Sequence, residues 1–224
     1  VSIDPALLDA LLARYGGVLT HGKHGECTGV CAMEARAVLL GMPWGANPDK
    51  SPRDAWARAL NDARWSSDAA RTEAMREVIL RDEPHPGWEG RLAEQTIRRI
   101  VPIALRAAAT VCREPEHVEK LEQSADRCER EGTQAAARAS ASSAWAASAA
   151  SAASAARAAA SAAEAARAAS AAEAAWAAEA AWAAGAWAAG AAGDDVLREA
   201  VRIGLEVWDV ERQRTPLLEQ EQQP

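Results

Sequence analysis

The sequence predicts an all-α fold: a helical bundle packed on one long alanine-rich helix, Ala135 to about Ala184, with a short closing helix. Three observations predict it. No alternating run of Val, Ile, Thr and aromatic residues extends beyond a few positions, so strands have no periodic support. Apolar stripes at helical spacing recur, bounded by Asp-Pro, Ser-Pro, Glu-Pro and Gly punctuation. From Ala135 to Ala192 a unit x-Ala-Ala repeats, with x drawn from Ser, Arg, Glu, Trp and Gly. Alanine is the best helix former, and neither Pro nor Gly intervenes between Gly132 and Gly185.

The elements follow in order. Asp4 caps a first helix with Pro5 at its first position, where a missing N–H costs nothing. Leu7, Leu8, Leu11, Leu12 and Tyr15 form its apolar stripe, and Gly16-Gly17 stops it. A loop from Val18 to Gly29 leads to a helix from about Val30 to Leu40, ended by Gly41-Met42-Pro43. Ser51-Pro52 restarts the chain in a helix carrying Trp56 and Leu60 on one face. Another helix spans roughly Ser67 to Arg81, with Met75, Val78 and Ile79 inward. After the Glu83–Gly87 loop, Leu92, Ile97, Ile100, Val101, Ala104 and Leu105 mark a helix expected to kink at Pro102. The pattern divides into a helical domain over 1–112, a charged connecting helix over 113–132, and the alanine-rich helix over 133–193. A closing helix over 194–214, with Leu197, Val201, Leu205 and Trp208 on one side, and a disordered tail over 215–224 complete it.

Three residues turn a helix by about 300°, so each x position slips about 60° backwards. The larger side chains therefore wind around the rod, and methyl groups show on nearly every face. Such a helix suits a central mast or a tightly self-associating rod, since Ala buries little on one side alone.

Charge and composition exclude some functions. The net charge is −7 and no basic face appears, so nucleic acid is not an expected partner. No apolar run is free of polar breaks over a membrane's width, and Val1-Ser2-Ile3-Asp4-Pro5 has no signal-peptide pattern. A cytoplasmic protein is expected, with its four cysteines reduced.

The richest chemistry lies between His21 and Ala35, and three readings compete. In the first, Cys31 is a nucleophile at a helix N-terminus, where the macrodipole stabilises a thiolate, with His24 or His21 nearby and Glu34 one turn on. Gly29-Val30-Cys31, with Ala35, Leu39 and Gly41-Met42-Pro43, resembles the nucleophile segment of transglutaminase-like enzymes. That family takes its His and Asp partners from downstream strands, and this sequence predicts none. In the second, His21, His24, Cys27 and Cys31 are zinc-type ligands, although their spacing matches no finger. In the third, which leads, Cys31 is a small core residue and the loop closes over it by hydrogen bonds. Asn61 and Asp62 could form a polar pocket with Trp44 and Trp65, and Trp176 could line a ligand site between helices.

Cys31-Ala32-Met33-Glu34-Ala35, then Leu39, Leu40, Gly41, Pro43, Trp44 and Leu60-Asn61-Asp62-Ala63, resembles a family of uncharacterised proteins encoded by actinobacteria and their phages. Its pattern places a helix after a short His-containing loop and is matched here by His24 (or His21), Cys31, Glu34, Trp44, Asn61 and Asp62. The sequence departs from it after Trp44, where Asn47-Pro48-Asp49-Lys50 replaces an acidic loop with His and Cys. The resemblance implies a fold and an origin and no chemistry.

The sequence therefore favours a non-enzymatic helical protein that binds a host protein or copies of itself, with no cofactor. One alternative is a phage protein that sequesters a small nucleotide signal through Trp and Arg residues. The other is a Cys31-dependent hydrolase or transferase.

Overall fold

In a computed structural model, the structure describes residues 3–22, 24–26, 28–44, 52–82, 87–150 and 191–221. These form eight helices and no strand: α1 (Pro5–Ala13), α2 (Ala32–Leu39), α3 (Pro52–Asp62), α4 (Asp68–Leu80), α5 (Trp88–Val111), α6 (Pro115–Glu131), α7 (Gln134–Ala150) and α8 (Ala191–Glu221). The all-α bundle is as the sequence predicts. The alanine-rich helix is seen as α7; the remainder of its expected course, with Trp176, lies outside the described residues.

Local chemistry sets the boundaries. Asp4 accepts the Ala6 N–H and caps α1, with Pro5 at the first helical position. Leu8, Leu11 and Leu12 are buried, but Leu7 faces out at 55% exposure, so the apolar stripe is narrower than predicted. Ser67 caps α4 by accepting the Ala70 N–H. Helix α5 runs through Pro102 without a break in its helical span. Leu92, Ile97, Ile100, Val101, Ala104 and Leu105 are buried along it, as their spacing predicts.

Helix α6 ends at Gly132 in the left-handed region (φ +62°). The Arg98 guanidinium of α5 lies over this turn and donates to the carbonyls of Glu129, Arg130 and Glu131. The orphan carbonyls of α6 are thus satisfied by a side chain from another helix. A second link joins the same helices on the surface: Arg106 meets Glu122, Asp126 and Glu129. Leu121, Ala125 and Cys128 form the buried face of α6, and the Cys128 thiol and Ser140 hydroxyl of α7 meet at 3.1 Å.

Helix α8 packs on α4 and α5. Leu197, Val201 and Trp208 are buried, as the closing-helix pattern predicts, and Leu205 is half-buried beside them. Its helix continues to Glu221, through Pro216, where the sequence reading expects a disordered tail from 215. Three indoles join α3, α5 and α8. Trp56 and Trp88 meet edge to face at 5.5 Å, and Trp88 and Trp208 at 5.6 Å. The Trp88 indole N–H donates to the Gly204 carbonyl at 3.0 Å. A Cβ at Gly204 would collide with the Trp56 ring, so glycine is required there despite its cost inside a helix.

Candidate functional site

The start of α2 is the most concentrated polar site among the described residues. Cys31 is its N-cap, and Cys31 and Glu34 form a reciprocal capping box. The Cys31 sulfur accepts the Glu34 N–H at 3.5 Å, and Glu34 Oε2 accepts the Cys31 N–H at 2.9 Å. Glu34 Oε1 accepts the His24 N–H at 2.7 Å, so one buried carboxylate fixes both the helix start and the loop before it. Asn61 adds a third element: its Oδ1 accepts the Ala32 N–H at 3.1 Å, satisfying another orphan donor of the first turn.

The loop is closed from three further sides. Asn61 Nδ2 donates to the Thr20 carbonyl and to Asp62 Oδ1, and Asp62 Oδ1 accepts the Gly22 N–H. The Trp44 indole N–H donates to the His24 carbonyl at 3.1 Å, and the Tyr15 hydroxyl donates to the Glu26 carbonyl at 2.6 Å. Those two rings also touch, with centroids 5.7 Å apart. Thr20 Oγ1 and His24 Nε2 are 2.8 Å apart. Both crowd Gly29, where a Cβ would lie 3.0 Å from Thr20 Oγ1 and 3.1 Å from His24 Nδ1.

His24, Cys31, Glu34, Trp44, Asn61 and Asp62 are therefore brought together. His21 is exposed at the rim of the loop, and Cys27 lies outside the described residues. Trp65 is buried and its indole N–H donates to the Leu60 carbonyl, so its polar edge faces its own backbone. Thr20, Arg71 and Thr72 complete the network and have no local sequence signature. Arg71 Nε donates to the Asn61 carbonyl, and Thr72 Oγ1 accepts the Leu19 N–H across 53 positions.

No family model, curated protein or solved structure matches the chain.

The electrostatics favour a neutral thiol. Burial pushes the Cys31 pKa up to about 11, and the Glu34 carboxylate adds to the rise; N–H groups of Glu34 and Met33 oppose it without prevailing. The macrodipole expectation for a thiolate therefore fails on desolvation, and Cys31 carries its proton at neutral pH. Among the described residues no group of three or more His, Cys, Asp or Glu side chains is placed to hold a metal ion. No helix among them is long and apolar enough to cross a membrane. What the arrangement does is hold the 18–30 loop shut against α2 and α3.

Proposed function

We propose that this protein acts by binding protein chains, foremost further copies of itself, through the outward face of α7, and not as an enzyme. The observation that carries this reading is the outward face of α7, where Trp145, 45% exposed, lies beside exposed Ser142 and Arg138, with exposed Ala135, Ala139 and Ala146 on the adjoining side. Arg138, Ser142 and Trp145 recur at helical spacing and share one side, and Ala135, Ala139 and Ala146 share the side next to it. Small side chains let a second helix approach closely, and Trp is the residue type most often found at the energetic centre of an interface. The motif residues support the reading indirectly. Their polar atoms bond within the chain, and the one candidate nucleophile keeps its proton.

Sedimentation velocity on the wild type and on Trp145→Lys tests this. The wild type is expected to self-associate, and the variant to do so about ten- to a hundredfold more weakly with unchanged helical content. A wild type that stays monomeric and retains no host protein contradicts the reading.

A further inference from the structure

We infer that α7 of a second copy seats antiparallel on α7 about a two-fold axis beside Ser142, with Arg138 of each copy lying on the Trp145 ring of the other. This rests on the self-association reading and specifies the contact through which the copies meet.

The outward face of α7 is its own complement. Arg138 and Trp145 stand seven residues apart, two helical turns or ~10 Å along the axis, and both are exposed. Their midpoint falls beside Ser142, which is exposed on the same side. On the adjoining side, exposed Ala139 and Ala146 are also seven apart and also centred beside Ser142. A two-fold axis across the helix at that point keeps each side opposite itself and reverses its order. It therefore sets Arg138 against Trp145 twice along one edge, and Ala139 against Ala146 twice along the other. A guanidinium over an indole face is an attractive pairing, and two rows of methyl groups let the helix axes come close. A parallel arrangement would instead set Arg138 against Arg138.

The groups at this face are available for the contact. Arg138 Nε donates to the Gln134 carbonyl of its own helix at 3.4 Å. Among the described residues its guanidinium has no carboxylate partner, and the Trp145 indole is in no ring contact. The Ser142 hydroxyl donates to the Arg138 carbonyl at 3.4 Å, so it is satisfied within its helix when covered. Charge favours a second copy here over any other described helix. Among the described helices only α7 carries no Asp or Glu. On a chain of net charge −7, two copies repel least where this helix meets itself.

Cross-linking of full-length variants tests the arrangement. Ala139→Cys and Ala146→Cys are made separately at these exposed positions, mixed, allowed to exchange subunits and treated with a short bifunctional maleimide. Mass spectrometry of the linked peptides identifies the positions joined. Links between 139 and 146 are expected to dominate. Arg138→Ala is expected to weaken association about five- to thirtyfold through the loss of two Arg–Trp contacts per dimer, and Arg138→Lys, which keeps the cation, by less. Circular dichroism of each variant checks that helical content is unchanged. Links of 139 to 139 and 146 to 146 mean a parallel pair and overturn the inference while self-association stands. Arg138→Ala associating as tightly as the wild type overturns it too. Dimers with no link through α7 overturn both the arrangement and the role of α7. A wild type without dimers overturns the self-association reading itself.

Discussion

Cys31 and Gly204 show how two single residues constrain this molecule in opposite ways. Cys31 is held as a neutral thiol inside its capping box. Its pKa is raised in the folded protein, so its stabilising contribution is complete below the ordinary value of 9.0 and is lost as pH climbs toward about 11. Chemical denaturation between those limits is expected to show about 2–3 kcal/mol of lost stability, and Cys31→Ser is expected to remove most of that slope. Burial raises the Cys128 thiol in the same direction, so a residual slope stays in the variant. Gly204 has no room for a methyl group against Trp56. Gly204→Ala is expected to cost about 1–3 kcal/mol through overpacking, despite alanine's better helix propensity. Gly90 of α5 provides the control, because nothing lies near its Cβ position. Gly90→Ala is expected to gain up to about 1 kcal/mol, read from the shift in denaturation midpoint.

At the scale of elements, the start of α2 carries the clearest consequence. Glu34 and Asn61 together satisfy the N–H groups of Cys31, Ala32 and His24. Glu34→Ala is expected to cost about 2–3 kcal/mol, because it frees two buried or half-buried donors at once. Hydrogen exchange should quicken over residues 18–34 and stay unchanged over α6 and α7; uniform quickening would mean the site is not a local clasp. The sequence makes part of this legible. Cys31 and Glu34 stand three apart before an apolar run, which is capping-box spacing with sulfur in place of a hydroxyl. The sequence marks Asn61 and Asp62 as polar candidates beside Trp44, but their bonds to this loop depend on tertiary placement. Thr20, Arg71 and Thr72 had no signal, and Tyr15 was legible only as an apolar stripe residue, since their bonds depend on tertiary placement. Arg36 is similar: it donates to the carbonyls of Ile79 and Arg81 at the end of α4, a pairing no local pattern encodes. Apolar periodicity, by contrast, located the buried faces of α4, α5 and α8, because burial repeats with the helix turn. It erred at Leu7, where a stripe of five was wider than the face that α1 buries.

For the whole molecule, the α7 face around Trp145 points outward, while the α8 contact closes a buried aromatic centre inside an ionic rim. The rim pairs are partly exposed, so added salt should weaken them only modestly, while the tryptophan centre should persist. The net charge of −7 opposes close approach of copies at low ionic strength, so moderate salt should favour association before it weakens the rim.

The most direct test of the central claim is light scattering on the wild-type protein over a roughly hundredfold range of concentration. A mass that rises with concentration to at least twice that of the 23.6 kDa chain is the predicted result. A constant single-chain mass throughout, with no host protein retained on purification, would contradict the account.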